Sequence, residues 1–178
     1  STRIVIMKNK LCVIAGIDGT FTILLLAQLQ KAQQAGLNVY GICKAGPNFD
    51  LLKQRGITMF GVGIKRTISP FSDIIALWRI WRFLKKVKIY IVHTHTPKPS
   101  LLGQLAAKLA GVPIRVHTLH GFYFHENMKP LVRWIFILLE GLTCKCATSI
   151  LSQNPEDIKT AIELGICKTD KIKHLGNG

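Results

Sequence analysis

The residues best suited to chemistry in this chain are histidines, and five of the six fall into two short segments. His93 and His95 lie in the run IVHTHTPKP, and His117, His120 and His125 lie in VHTLHGFYFHE. A neutral imidazole can donate or accept a hydrogen bond, and it exchanges a proton near neutral pH. Such clustering favours a binding or catalytic site, although a single histidine is more often structural than catalytic.

The spacing of these histidines does not match that of a metal site. Zinc needs three or four ligands at fixed spacing, and H-x-H followed by H-x-x-H is not a recognised pattern. The pair Cys144 and Cys146 has no second pair at zinc-finger spacing, and the five cysteines form an odd, scattered set that is typical of reduced thiols. We therefore expect no bound metal and packing roles for the cysteines.

A second candidate is the glycine-rich segment GIDGT at residues 16–20. Backbone N–H groups and a helix N-terminus at such a segment can approach a phosphate. The segment lacks the G-x-G-x-x-G pattern, and Cys43 and Lys44 stand where a dinucleotide site needs an acid, so NAD binding is disfavoured. The alternative is an ordinary turn with Asp18 or Thr20 as N-cap of the following helix, and we assign the cap to Asp18.

Apolar runs and helical periodicities alternate along the chain and position these segments. The predicted strands span 10–15, 38–43, 57–62, 89–93, 114–119, 147–151 and 171–175. The predicted helices span 21–35, 48–55, 71–86, 99–110, 130–144 and 155–164. This alternation predicts an α/β fold, a doubly wound, mostly parallel seven-stranded Rossmann-like sheet. Its ligand crevice lies beyond the carboxyl ends of the strands, where both histidine segments fall.

Composition predicts one basic domain. The chain has 178 residues, 48% of them apolar, and a mean hydropathy of +0.28, which suffices for one core and excludes a disordered chain. The net charge is +15, of which residues 1–90 carry +11. An anionic partner is expected: nucleic acid, a membrane surface or a phosphorylated substrate.

The sequence also bears on location. No apolar run approaches the roughly 20 residues that span a bilayer, and the pattern of a secretory signal is lacking. We expect a cytoplasmic protein, with residues 1–9 as an N-terminal extension that contains a candidate start at Met7.

The helix predicted around residues 73–88 combines charge with an unusually wide apolar arc. Tryptophan beside lysine at the edge of such an arc is typical of a helix that lies on anionic lipid headgroups. We expect the membrane-facing residues to be Trp78, Trp81, Arg79, Arg82, Lys85 and Lys86. This places the protein peripherally on the inner face of the cytoplasmic membrane. The alternative is an ordinary crossover helix with a solvated basic face.

The run IVHTHTPKPSLLGQLAAKLAGVPIRVHTLHGFYFHE resembles the N-terminal half of bacterial family-four glycosyltransferases, which build capsular, exopolysaccharide and lipid-linked glycans. The resemblance extends through AGPNFDLLKQRGI, LSQNPEDIKTAIELGI and LGNG, so it covers residues 10–178. It implies one Rossmann-like, acceptor-side half of a GT-B fold, with Asn177-Gly178 at the crossing into a missing C-terminal donor domain. It also implies retaining sugar transfer by the two-domain parent, and we expect the chain alone to be inactive.

The resemblance implies three sets of site residues. The catalytic set, beside the transferred hexose, consists of His120 and Gly121. The set that faces the donor phosphates consists of Gly16, Gly19 and Thr20. The set that faces the acceptor consists of His95, Thr96 and Lys98.

The same resemblance implies the substrates. The donor is a UDP-linked nucleotide sugar, the acceptor is a glycan or a polyprenyl-diphosphate-linked glycan, and no resident cofactor is implied. In a retaining transfer the leaving diphosphate can accept the acceptor's proton, so a protein base is not required.

Two alternatives stay open. One is a phosphate-ligand or RNA-binding Rossmann module without catalysis, and the other is half of a sugar-nucleotide epimerase with the same architecture. Nucleic-acid binding predicts an aromatic and basic platform of the RRM or OB type, and the sequence has none, so we expect no nucleic-acid partner.

Overall fold

Seven strands and six helices alternate along residues 9–176, the part of the chain that the computed structural model describes. The strands are β1 (Lys10–Ile17), β2 (Asn38–Lys44), β3 (Thr58–Gly61), β4 (Ile91–Thr94), β5 (Ile114–Leu119), β6 (Ser149–Ser152) and β7 (Ile172–His174). The helices are α1 (three consecutive segments, Asp18–Thr20, Phe21–Leu25 and Leu26–Gln34), α2 (Phe49–Gln54), α3 (Pro70–Val87), α4 (Pro97–Leu109), α5 (Pro130–Cys146) and α6 (Pro155–Glu163). The predicted Asn177-Gly178 junction and most of the predicted extension lie outside the described residues.

All strands pair in parallel, in the order β3-β2-β1-β4-β5-β6-β7. The chain winds outward from β1 to β3 and then returns to β4 on the other side of β1, so the strand order reverses between β1 and β4. Ile14 pairs with Thr94 across this point, and Thr94 pairs with His117 on β5. The predicted doubly wound α/β fold is confirmed, and its crevice lies at the carboxyl ends of β1, β4 and β5.

Alternate side chains of β1 enter two different core layers, since successive residues of a strand point to opposite faces. Leu11 and Val13 pack in one cluster with α1 and α2. Cys12 and Ile14 pack in another with α3 and α4. A third cluster surrounds Ile150 of β6 and includes residues of α5 and α6. Helices therefore pack against both faces of the sheet and fix the position of the carboxyl ends of its strands.

The predicted elements are confirmed, with shifts mainly at their ends. Strand 114–119 has the predicted bounds at both ends. Helix α1 ends before Gly36, whose positive φ of 88° is typical of the residue that follows a helix. The clearest difference is the start of α1, which begins at Asp18 instead of residue 21 and contains the π-helical segment Phe21–Leu25.

The cysteines pack as predicted. Cys144 and Cys146 are free and buried, and burial raises the pKa of the Cys144 thiol far above its usual range.

Within residues 9–176, none of the helices combines the length and apolar character that crossing a membrane requires.

Candidate functional site

The two histidine segments meet at the carboxyl edge of the sheet. His95 follows the last residue of β4, and His120 follows the last residue of β5. His95 Nδ1 and His120 Nε2 lie 2.9 Å apart, at hydrogen-bonding distance. The ring of His93 lies 4.2 Å from that of His95, centroid to centroid. The structure thus joins one predicted catalytic residue directly to one predicted acceptor residue.

Burial sets the protonation of this cluster. It lowers the pKa of His95 to about 2, with a further contribution from His93 and His120, and lowers the pKa of His93 to about 4. The pKa of His120 is lowered for the same reason. The three rings are therefore neutral at pH 7, and within the His95–His120 pair one nitrogen donates a proton that the other accepts.

A second layer of hydrogen bonds supports the edge from below. His117 Nε2 lies 3.0 Å from Glu140 Oε1 on α5, and its Nδ1 lies 3.3 Å from the Thr94 hydroxyl. Gln104 on α4 donates from Nε2 to Thr94 Oγ1 at 2.9 Å and to the Val116 carbonyl at 2.8 Å. These bonds fix β4 and β5 relative to α4 and α5. Sequence reasoning missed Glu140 and Gln104, although a carboxylate inside an apolar helix was an available signal.

The segment after His120 leaves the main chain open. Gly121 has a φ of 107°, and no atom of residues 9–176 lies within 4 Å of where its Cβ would be. A side chain other than glycine is strained at this φ. His93 lies on the neighbouring strand β4, and its ring is held in place because its Nε2 lies 2.6 Å from the hydroxyl of Thr118 on β5. A ligand can therefore approach the backbone at Gly121 closely.

The predicted donor segment differs from a loop. Gly16 belongs to β1, whereas Gly19 and Thr20 belong to the first helical turn of α1. The predicted cap by Asp18 is wrong, because Ile17 holds the N-cap position without a side-chain bond and Asp18 is already helical.

The carboxylate of Asp18 has another partner. Its Oδ2 accepts a hydrogen bond from the backbone N–H of Asn48 at 2.7 Å. A Cβ on Gly46 would come within 2.5 Å of that oxygen, so glycine is required there. Asp18 therefore ties the start of α1 to the loop after β2. The contact spans 30 residues of sequence, which is why local spacing did not indicate it.

The predicted acceptor segment is held tightly. Thr96 has a φ of 68° and a ψ of 146°, a strained backbone for a β-branched residue, and its hydroxyl donates to the His95 carbonyl. Lys98 Nζ lies 2.7 Å from Asp73 Oδ1 on α3 and also donates to the Thr67 carbonyl. Because Asp73 already neutralises this ammonium, the role of Lys98 toward the acceptor stays a prediction.

The six residues of α3 predicted to face a membrane differ in exposure and contacts. Trp78 is 53% exposed, and Arg82 lies over its ring at 5.5 Å. Trp81 instead packs partly against the core, and Arg79 Nη2 donates to the Gly61 carbonyl at 3.0 Å. The exposed apolar residues of α3 are Phe71, Ile74, Ile75 and Trp78, and the basic residues Lys85 and Lys86 are exposed on its last turn.

Metal-ligating side chains are not grouped in the described part of the chain: no set of three or more His, Cys, Asp or Glu within residues 9–176 is placed to hold an ion. In the histidine cluster, the ring nitrogens Nδ1 of His95 and Nε2 of His120 bond to each other. The edge offers neutral donors, neutral acceptors and an open backbone, which suit recognition of hydroxyl and phosphate groups.

Comparison with known proteins gives the site a context. Residues 20–178 match the model of the glycosyl transferase 4-like domain. The UDP-Gal:alpha-D-GlcNAc-diphosphoundecaprenol alpha-1,3-galactosyltransferase of Escherichia coli is 36% identical over 152 residues, which are 85% of this chain and 39% of that protein. The capsular polysaccharide biosynthesis glycosyltransferase CapM of Staphylococcus aureus is 32% identical over 117 residues, 66% of this chain and 30% of that protein.

Solved structures share the fold. A glycosyltransferase from Rickettsia africae has a TM-score of 0.70 at 20% identity, over 95% of this chain and 42% of its own. A UDP-N-acetylglucosamine 2-epimerase from Rickettsia bellii has a TM-score of 0.68 at 15% identity, over 94% of this chain and 44% of its own. The chain spans less than half the length of these relatives. With the predicted family resemblance confirmed by the matched residues, the chain belongs to the glycosyl transferase 4-like domain family.

Proposed function

We propose that this chain is the acceptor-side domain of a retaining glycosyltransferase that moves a hexose from a UDP-linked donor to a lipid-linked acceptor in surface polysaccharide biosynthesis. The observation that carries the proposal is the hydrogen-bonded His95–His120 pair at the strand-order reversal of a domain of this family. The name of the Escherichia coli relative supports a nucleotide-sugar donor and a diphosphoundecaprenol-linked acceptor. The donor-binding side then belongs to further polypeptide, since the chain spans 39% of that relative.

The pair suits recognition of a sugar. His120 Nε2 is engaged by His95, so Nδ1 of the same exposed ring is left to bond a sugar hydroxyl. His95 is almost fully buried and cannot turn away, so the orientation of His120 is set before substrate arrives. The open backbone at Gly121 lets the sugar approach on the same side.

The arrangement also suits transfer without a protein base. A glycoside hydrolase needs two carboxyl groups across its cleft. Within residues 9–176, the carboxylate that hydrogen-bonds to the histidine network is that of Glu140, and it is engaged by His117. In the proposed reaction the leaving diphosphate accepts the acceptor's proton, and the domain contributes positioning and hydrogen bonds.

The outer face of α3 supports delivery to a membrane surface. Trp78 and Phe71 expose apolar area on this face, Arg82 lies over the Trp78 ring, and Lys85 and Lys86 are exposed on the last turn. An amphipathic helix with this composition binds an anionic membrane surface both by burying its apolar side chains and by the attraction of its basic side chains to the headgroups. Lipid-linked acceptors reside at such surfaces, so we place the protein peripherally on the cytoplasmic membrane.

A sugar-nucleotide epimerase is the weaker alternative. The epimerase from Rickettsia bellii shares the fold at 15% identity, which carries no argument about chemistry. The two relatives above 30% identity are both named as glycosyltransferases. We therefore favour transfer over epimerisation.

The test is His120→Ala in the two-domain parent. If the imidazole bonds the hexose as the glycosidic bond breaks, kcat and kcat/KM fall together by about 100-fold or more. The melting temperature changes little, since an exposed position contributes about 1 kcal/mol or less to stability. His125→Ala is the matched control, an exposed histidine in the same loop. A folded and fully active His120→Ala enzyme would reject the site, and turnover by the 178-residue chain alone would contradict its assignment as one half of the enzyme.

A further inference from the structure

A cleft of about 420 Å³ lies between the loop after β5 and the first two turns of α5, apart from the histidine pair. Its lining is mostly apolar but includes one guanidinium and one carboxylate: Glu126, Met128, Pro130, Arg133, Trp134 and Ile137. The loop that forms one wall is the one that begins at His120. The loop between β5 and α5 therefore carries both the proposed catalytic residue His120 and one wall of the cleft.

Arg133 is the unusual member of this lining. Its Nε is shielded from solvent and has no hydrogen-bond partner among residues 9–176. Its guanidinium carbon lies 5.8 Å from the centre of the Phe124 ring, and no ion pair joins it to Glu126 in the described structure. Because Arg133 lines the cleft, an anion there can accept charge-assisted hydrogen bonds from the terminal nitrogens of its guanidinium.

The same helix presents an apolar stripe that begins at the cleft. Trp134 lines the cleft and is 57% exposed, and Leu131 is 69% exposed. The stripe continues along one side of α5 through Ile135, Leu138 and Leu142. From Leu131 to Leu142 it extends about 16 Å at the rise of an α-helix. A stripe of this length adjoining a cationic cleft matches a molecule with an anionic head and a hydrocarbon chain.

We infer that this cleft binds a phosphorylated isoprenoid, with the diphosphate on Arg133 and the hydrocarbon along the α5 stripe. The inference rests on the proposed function, because it assigns a place to the lipid part of the acceptor. Lys129, exposed one residue before α5, adds a second positive charge. The carboxylate of Glu126 opposes an anion in the same cleft, so its removal should tighten binding.

The probe is farnesyl diphosphate, titrated calorimetrically into the 178-residue chain. We expect it to bind at least about 10-fold more tightly than inorganic pyrophosphate or farnesol, since each of these supplies only one of the two contacts. Arg133→Gln should weaken binding by about 10-fold or more, because a hydrogen-bonded charge is lost. Glu126→Gln should tighten it. Arg55→Gln, which removes an exposed guanidinium at the end of α2, is the matched control and should leave affinity unchanged.

Several results would overturn the inference. These are no binding by the wild type, equal affinity for pyrophosphate, equal affinity for farnesol, or equal losses in the Arg133 and Arg55 variants. If Arg133→Gln does not fold, Glu126→Gln and Trp134→Ser carry the test, and unchanged affinity in both rejects the cleft. Failure here is distinct from failure of the proposed function: sugar transfer without farnesyl diphosphate binding rejects only the cleft, whereas binding without transfer by the parent rejects only the activity.

Discussion

Polar side chains are buried at the carboxyl edge of the sheet, whereas large apolar side chains are exposed on the outer faces of α3 and α5. Both arrangements are the reverse of the usual one. At the edge, His95 and His117 are each 2% exposed, and Nδ1 of His95 and both ring nitrogens of His117 bond to other side chains of the domain. On the outer faces, Phe71 is 88% exposed and Trp134 is 57% exposed. Monomeric proteins rarely leave continuous apolar stripes in water. The edge is thus organised by its own chain, whereas the helix faces are suited to a partner outside residues 9–176.

The largest expected effect concerns the outer face of α3. The chain should bind anionic vesicles more weakly as salt rises, and the triple variant Arg79→Glu, Arg82→Glu, Lys86→Glu should bind at least about 100-fold more weakly, at about 1 kcal/mol per basic residue. Vesicle sedimentation measures this. A triple glutamate variant of exposed lysines elsewhere, at Lys159, Lys168 and Lys173, provides the control with the same net charge. Equal partition of the two variants would exclude α3 as the binding surface.

The next effect concerns the network below the edge. His117→Ala should lower the free energy of unfolding by about 3 kcal/mol, because it leaves the partly buried carboxylate of Glu140 without its histidine partner. Urea denaturation measures the change. The double variant His117→Leu, Glu140→Leu should lose less than the single variant, since both polar groups are removed together. A single variant as stable as the wild type would show that the pair does not support the edge.

Lowering the pH should lower the free energy of unfolding through the buried histidines at the carboxyl edge of the sheet. The pKa of His95 is about 2 in the folded chain against about 6.5 when unfolded, so the neutral ring stabilises the fold fully above pH 6.5 and less as pH falls. The loss is about 1.4 kcal/mol per pH unit for this group, or about 2 kcal/mol at pH 5. Unfolding free energies at pH 7.5 and pH 5 measure it, and His95→Asn should reduce the dependence without abolishing it, because the pKa of His93 is also lowered, to about 4. Equal stability of the wild type at both pH values would contradict the burial argument.

The smallest expected effect is on the α5 stripe. Leu131→Ser and Leu138→Ser should each change the free energy of unfolding by no more than about 0.5 kcal/mol, because both side chains are exposed in the isolated domain. Thermal melts measure the change, and Ile150→Ser in β6 provides a buried comparison. A large loss from Leu131→Ser would mean that the stripe is part of the core.

Sequence periodicity predicted the fold because its determinants are local. Strand 114–119 and Gly36 after α1 follow from patterns within a few residues. The site edge was also predictable, since parallel strands place the residues after β4 and β5 at one edge. The partners of these residues were not: Glu140 lies 23 residues from His117, and Asn48 lies 30 residues from Asp18.

The division of α3 between core and surface also escaped sequence analysis. Trp78 and Trp81 both fall on the apolar arc, yet Trp78 is exposed and Trp81 packs partly against the core. The arc is wider than the sheet can cover, and only the packing of α3 against its neighbours decides which part is left outside. The hydrophobic pattern of a helix shows how wide its apolar face is, whereas tertiary contacts decide which part of that face is buried.

The π-helical segment Phe21–Leu25 amounts to one surplus residue carried inside α1. A chain with one residue fewer there could continue as an ordinary α-helix, because the wider turn is what accommodates the extra residue, and the segments on either side would keep their relative orientation. The first turn at Asp18–Thr20 and the core face of Leu26–Gln34 would then both stay in place. A change of one residue in the length of this segment is therefore compatible with the same fold.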